Sequence, residues 1–69
     1  MPSEKPVYLY RMVIAQKLSG KSLWIWQHMS LEAQNEWAQR AADRDGGGSG
    51  GMDAATNRIV AWFESKHST

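Results

Sequence analysis

The 69-residue chain is long enough for one small domain, and its eight basic and seven acidic residues leave a net charge of only +1. That balance argues against a strong field for nucleic acid or an anionic membrane, and no apolar run approaches the ~20 residues of a membrane-spanning helix. The absence of cysteine excludes disulfides and cysteine-ligated zinc, so burial of the aromatic side chains has to stabilise the fold.

Two short helices are predicted at the start of the chain. Pro6 suits a first helical turn and Gly20 suits the residue just past the end of a helix. The β-prone beginning of this segment, residues 7–10, leaves a strand as the alternative. A second helix is predicted over 22–29, with Ser22 as its cap. The first helix, over 7–18, is indicated by apolar residues at helical spacing, namely Val7, Tyr10, Val13, Ile14 and Leu18.

Two tryptophans of the second helix flank Ile25 and therefore point to different sides of it. One of Trp24 and Trp26 is expected in the core and the other at an exposed interface, since exposed tryptophan often marks one. The alternative is that both rings pack against the neighbouring helices.

A third helix is predicted over 31–44. Ser30 is expected to cap it, and Glu32 lies in its first turn, where the helix dipole favours a negative charge. Trp37, Ala38 and Ala41 give this helix a narrow apolar face. The two alanines would allow another helix to approach closely.

Residues 46–51 form a glycine/serine run that ends immediately before Met52. This composition is typical of a flexible linker. It predicts a single-chain fusion of three parts: a helical module (1–45), an engineered linker (46–51), and the N-terminal segment of a second protein (52–69). The alternative is one protein whose internal loop was replaced by the linker.

The segment after the linker is predicted to be one amphipathic helix over 52–66, with Asp53 as its cap. Val60 is placed at the edge of its apolar stripe, whereas Asn57, Ala61 and Glu64 are expected to face away. The stripe itself comprises Met52, Ala55, Ile59, Trp62, Phe63 and the stem of Lys66. An isolated helix of this length is marginal in water, so it is expected to form mainly when the stripe is buried.

Five residues of the module have a characteristic spacing, namely Trp26, the pair Met29–Ser30, Trp37 and Ala41. This spacing matches the end of the second helix, the tight turn and the third helix of a high-mobility-group (HMG) box, and residues 5–11 are similar to that family's first-helix entry. Residues 5–44 therefore resemble a shortened HMG box. The stretch from Tyr10 to Trp26 is about a dozen residues shorter than the family has, and the basic surface is missing. The resemblance implies a nuclear, chromatin-associated setting, and it would place the family's DNA wedge at Tyr8.

The residues give no indication of an enzyme, a cofactor or a metal site. His28 and Glu32 are four apart, but Ser30 is expected to break the helix between them. Two histidines without supporting carboxylates do not make a zinc site. Arg11, Lys17 and Lys21 could line a phosphate backbone, or they could be solvated surface charges.

The sequence therefore predicts an all-α fold, a small bundle of two or three helices with an amphipathic helix docked on it. The expected function is protein–protein recognition of the helix-in-groove type, in an intracellular, nuclear setting. The docked helix is expected to bind through Ala55, Ile59, Trp62 and Phe63. The receiving surface is expected to comprise Tyr10, Val13, Ile14, Leu18, Leu23, Trp26 and Trp37.

Three questions stay open at this level. HMG-box-like DNA binding is the alternative function, with weak or no DNA binding expected, and a purely structural oligomerisation unit is a third. No membrane partner is expected. The docked helix could lie in its own chain or swap into a neighbouring copy.

Overall fold

Four α-helices form a single bundle in the computed structural model, which describes residues 6–47 and 50–68. They are α1 (Val7–Lys17), α2 (Gly20–His28), α3 (Leu31–Gly46) and α4 (Gly51–His67). No strand occurs in these two described ranges. Helix α4 packs mainly against α3 and α1, with a smaller contact to α2. The predicted all-α fold is confirmed.

The first connection is tight and depends on a glycine. Helix α1 begins at Val7, so the strand alternative for this segment is wrong. It ends at Lys17, and the buried Leu18 adopts an extended conformation. Gly20 has φ +58°, a left-handed value that costs other residues about 1–2 kcal/mol. A Cβ at this position would meet nothing within 4 Å, so the backbone conformation and not the available space favours glycine.

Helix α2 starts two residues earlier than predicted because Ser19 occupies the N-cap position. Ser22 is therefore inside the helix and not its cap. Its hydroxyl donates a hydrogen bond to the Ser19 carbonyl at 2.8 Å, which satisfies a polar group that is buried.

The cap predicted for α3 is confirmed. The Ser30 hydroxyl accepts a hydrogen bond of 3.1 Å from the backbone N–H of Ala33, which satisfies one of the unpaired donors of the first turn. The extended Ser30 also separates α2 from α3, as predicted. At the other end, α3 continues two residues beyond the prediction and includes Gly46.

The connection before α4 differs from the prediction at both ends. Gly46 belongs to α3 and Gly51 belongs to α4, so the segment between the helices is shorter than 46–51; residues 48–49 lie outside the described ranges. Asp53 is not the cap, because Gly50 precedes the helix with φ +98°. A Cβ on Gly50 would lie 3.2 Å from that of Ala54.

The core lies where α4 covers α1 and α3. Helix α3 contributes Ala38 and Ala41, both fully buried, and their small side chains allow the close helix approach that the sequence predicted. The buried Thr56 of α4 donates its hydroxyl to the Met52 carbonyl at 2.7 Å, so it carries no unsatisfied group. The remaining buried apolar residues are Tyr10, Ile14, Leu18, Trp26, Ala55, Ile59, Val60 and Phe63.

A partly buried hydrogen bond joins the first turn of α1 to the end of α3. The Tyr10 hydroxyl donates to Asp45 Oδ2 at 2.5 Å, and the Tyr10 side chain is only 2% exposed. Burial raises the pKa of Tyr10 to about 12. The hydrogen bond to Asp45 and the negative charge of that carboxylate act in the same direction and are the smaller causes. All three disfavour the phenolate, so the folded protein holds this proton more tightly than the unfolded chain does.

We predict that Tyr10→Phe removes a pH-dependent part of the stability. Because the pKa is raised by folding, the contribution is complete below about pH 10 and is lost as the pH rises through about 12. At neutral pH, loss of the bond should lower the free energy of unfolding by about 1–3 kcal/mol. Urea unfolding of both proteins at a series of pH values measures this difference.

The control for this prediction is Tyr8→Phe, which alters a half-exposed ring on the same helix. It should leave the loss of stability at high pH in place. A gap between parent and Tyr10→Phe that stays constant up to pH 12 would show that Tyr10 does not titrate as described.

Candidate interaction surfaces

Phe63 is the centre of the contact between α4 and the other helices. Its side chain is fully buried. The ring meets Trp26 of α2 at 5.4 Å between centroids and Trp37 of α3 at 5.2 Å, both close to perpendicular. Edge-to-face pairs of this kind contribute about 0.5–1.5 kcal/mol each beyond the burial of their area.

Of the four α4 residues predicted to dock, three lie in the core and one does not. Ala55, Ile59 and Phe63 are buried, but Trp62 is 45% exposed. Compared with the predicted stripe, the buried face of α4 is shifted toward Thr56 and Val60, which are both buried. The shift arises because α4 packs against both α1 and α3. Trp62 is left at the margin of this contact.

The predicted receiving surface is largely gathered into one core. Four of its residues are buried there, namely Tyr10, Ile14, Leu18 and Trp26. Leu23 and Trp37 are half-buried against the same cluster, and Val13 is also half-buried. Trp24, in contrast, is 61% exposed, which confirms that the two tryptophans of α2 point to different sides.

Polar contacts at the rim fix α4 against α1 and α2. Lys17 Nζ donates to Asp53 Oδ1 at 2.5 Å and to Asn57 Oδ1 at 2.8 Å. Ser22 Oγ lies 3.4 Å from Glu64 Oε2. The expectation that Asn57 and Glu64 face away from the module is therefore wrong.

All three cations considered for phosphate contact take part in interactions within the fold. Arg11 Nη1 donates to Asn35 Oδ1 at 2.6 Å, and Lys17 is held by α4 as described. Both are therefore already engaged within the bundle. Lys21 is exposed on α2.

His28, which lies four residues before Glu32 in the sequence, contacts Trp24 of its own helix. His28 stacks on Trp24 with ring centroids 4.1 Å apart, and its Nδ1 lies 2.8 Å from the Trp24 carbonyl oxygen. Among residues 6–47 and 50–68, no group of three histidine or acidic side chains is placed to hold a metal ion. None of the helices formed by these residues is both long and apolar enough to span a membrane.

A second surface, which the sequence did not predict, combines cations with tryptophan rings. Along α3, the Arg40 guanidinium lies 4.6 Å from the Trp37 ring centroid. Across the helix pair, the Arg44 guanidinium lies 4.9 Å from the Trp62 ring centroid, and Lys66 Nζ lies 5.9 Å from that of Trp37. Arg58 is exposed one turn before Trp62 on α4. These six residues are called the α3–α4 seam below.

The seam could have been suspected from spacing. Arg40 and Arg44 are one turn apart on α3, and Arg58, Trp62 and Lys66 are successive turns on α4. What the sequence does not reveal is that these two rows lie on the same side of the helix pair. That depends on the rotation of α4, which places Trp62 at the rim.

No protein family, curated protein or solved structure matches this chain.

We predict that Phe63 and Trp62 differ strongly in their contribution to stability. Phe63→Ala removes a fully buried ring and should lower the free energy of unfolding by about 3–5 kcal/mol. Trp62→Ala removes a half-exposed ring and one cation–π contact, and should cost about 1 kcal/mol. Urea unfolding of the whole chain followed by circular dichroism measures both.

Phe63→Leu is the companion variant, since Phe63→Ala could leave a chain this small unfolded at all urea concentrations. The leucine variant keeps an apolar side chain and should lose less than the alanine variant. A Phe63→Leu variant as stable as the parent, or a Phe63→Ala variant no less stable than Trp62→Ala, would mean that Phe63 is not the centre of the contact.

Proposed function

We propose that this chain is a protein-interaction module, in which residues 52–69 act as a helical ligand seated in the groove of residues 1–45. The observation that carries the proposal is the complete burial of Phe63 between Trp26 and Trp37. An amphipathic helix that places an aromatic anchor in a pocket of aromatic residues is typical of helix-in-groove recognition.

The groove has features that suit a ligand helix. Ala38 and Ala41 of α3 have small side chains, so the ligand helix can pack closely against the base of the groove. At the rim, Lys17 donates hydrogen bonds to Asp53 and Asn57, which lie on successive turns of the ligand. The apolar floor supplies affinity, whereas the lysine at the rim fixes the register of the helix. In this proposal, residues 46–51 are an engineered tether that raises the local concentration of the ligand.

The proposal also covers the cellular setting. If residues 5–44 derive from an HMG-like box, the module is a nuclear, chromatin-associated adaptor that has exchanged DNA binding for protein binding. The buried Trp26 and Ala41 and the half-buried Trp37 are three of the positions that carry this resemblance.

The test is to split the chain. We predict that peptide 52–69 binds peptide 1–45, and that 1–45 alone is poorly folded because Ile59, Val60 and Phe63 are missing from its core. Calorimetry measures the binding, and thermal melts by circular dichroism measure the folding. Phe63→Ala in the ligand peptide should weaken binding at least 100-fold, given the about 3–5 kcal/mol expected for its burial.

Trp62→Ala in the ligand peptide is the matched control and should bind within about tenfold of the parent. If peptide 1–45 melts cooperatively at the temperature of the whole chain and does not bind 52–69, the two segments are not module and ligand. Light scattering of the whole chain over a range of concentrations distinguishes docking within the chain, which is monomeric, from exchange between copies.

Duplex-DNA binding is the second candidate, and one observation favours it. The position to which the HMG resemblance assigns a wedge, Tyr8, is half-exposed, and so is Met12 one turn later on α1. Two cations of the same helix, Arg11 and Lys17, are nevertheless held within the fold. They are therefore less available for phosphates.

We predict that duplex DNA binds weakly and without sequence preference, with a Kd of about 10⁻⁴–10⁻⁶ M at physiological salt. Titration of a labelled duplex measures this. Submicromolar affinity with a steep salt dependence, lost on Tyr8→Ala, would instead support the DNA-binding alternative.

A further inference from the structure

The fold separates the charges of a nearly neutral chain. Four of its eight basic residues belong to the α3–α4 seam, namely Arg40, Arg44, Arg58 and Lys66. Arg40, Arg58 and Lys66 are exposed. Successive turns place the cations of each helix about 6 Å apart along its axis. The seam is therefore a row of positive charge that the net charge of +1 conceals.

Three of the six acidic side chains of these two helices contact other helices. Asp45 accepts a hydrogen bond from Tyr10, Asp53 pairs with Lys17, and Glu64 lies beside Ser22. Glu36 lies one turn before Arg40, and Asp43 lies three residues after it. A hydrogen bond does not neutralise a carboxylate, so these two residues reduce the charge of the seam. Four cations against these two carboxylates leave the seam with a positive balance.

Trp62 gives the seam a flat aromatic surface. Its ring is 45% exposed although the guanidinium of Arg44 lies 4.9 Å from its centroid. A nucleobase stacks on aromatic rings and on arginine planes alike, whatever its identity. An exposed tryptophan beside a row of cations thus offers both contacts that a single strand requires.

We propose that the α3–α4 seam binds single-stranded nucleic acid, with a base stacked on Trp62 and with phosphates paired to Arg40, Arg58 and Lys66. The site needs α4 docked on α3, as it is in the whole chain. It does not depend on whether residues 52–69 derive from a second protein.

The seam favours a single strand over two other anionic partners. An acidic peptide would satisfy the cations but would offer no planar group to the exposed ring of Trp62. An anionic membrane would require apolar side chains beside the cations for insertion. Among residues 6–47 and 50–68, the other large exposed apolar side chains lie on α1, α2 and the first turn of α3, and they are Tyr8, Met12, Trp24 and Leu31.

The test uses the whole chain and fluorescein-labelled mixed-sequence DNA and RNA strands of about 12 nucleotides. Fluorescence anisotropy at several salt concentrations should give a Kd of about 10⁻⁴–10⁻⁶ M at physiological salt, tighter than for the matching duplex. Three phosphate contacts predict a slope of about −2 for log K against log salt. A poly-glutamate peptide and anionic phospholipid vesicles serve as competitors.

The variants separate stacking from charge. Trp62→Ala should weaken binding about tenfold or more, whereas Trp62→Phe, which keeps a ring, should retain most of it. The matched control is Trp24→Ala, which removes the other exposed tryptophan and should leave the Kd unchanged. Arg58→Gln should reduce the salt slope by about 0.7, whereas Lys21→Gln on α2 should not change it.

Three results would overturn the proposal: no binding of single strands, equal losses for Trp62→Ala and Trp24→Ala, or tighter binding to the peptide or the vesicles than to the oligonucleotide. Circular dichroism of every variant verifies that α4 remains docked. Failure here is separate from failure of the split-peptide experiment, because that experiment contains no nucleic acid.

Discussion

Burial of one face of α4 is the constraint on which the rest of the structure depends. A chain of 69 residues without cysteine has neither disulfides nor a large core to hold it together. Helices α1 to α3 supply aromatic and small residues but leave a groove open, and Ile59, Val60 and Phe63 fill it. Phe63 touches tryptophans from two different helices, so it couples α2 to α3 through α4. The same burial forms the proposed ligand contact and brings the two rows of the α3–α4 seam together.

The polar contacts around that core determine orientation more than they determine affinity. Lys17 holds the first turns of α4, and Tyr10 holds the end of α3, so both ends of the α3–α4 connection are tied to α1. Lys17 is partly exposed, and an ion pair of this kind contributes at most about 1 kcal/mol. The Tyr10 bond is partly buried, and its loss would leave the Asp45 carboxylate without this donor. This difference in burial explains why the tyrosine is the more sensitive of the two positions.

Much of the fold could be read from the sequence, because its signals are local. Ser30 has the chemistry of a cap, the alanines of α3 mark a close approach, and the spacing of Ala55, Ile59 and Phe63 gives the direction of the buried face. The errors concern properties that depend on neighbouring helices. Trp62 lies next to Phe63 and is the larger ring, so hydrophobicity alone places it in the core. Thr56, for which the pattern gave no expectation, is buried with its hydroxyl bonded to the carbonyl of Met52. Which face of α4 is covered depends on how α1 and α3 pack against it, and no local pattern encodes that packing.

The charge of the chain shows the same dependence on tertiary structure. Counted along the sequence, basic and acidic residues nearly cancel, which argued against a nucleic-acid partner. In the fold, the charges are not evenly mixed: Asp53 pairs with Lys17 and Asp45 accepts from Tyr10, so both carboxylates contact α1 and not the seam. The cations left on the outside of α3 and α4 then lie together. A net charge describes the field far from a molecule, whereas a polymer that binds at the surface meets the local arrangement. For a domain this small, the positions of the charged side chains on the surface therefore indicate binding partners better than the net charge of the sequence does.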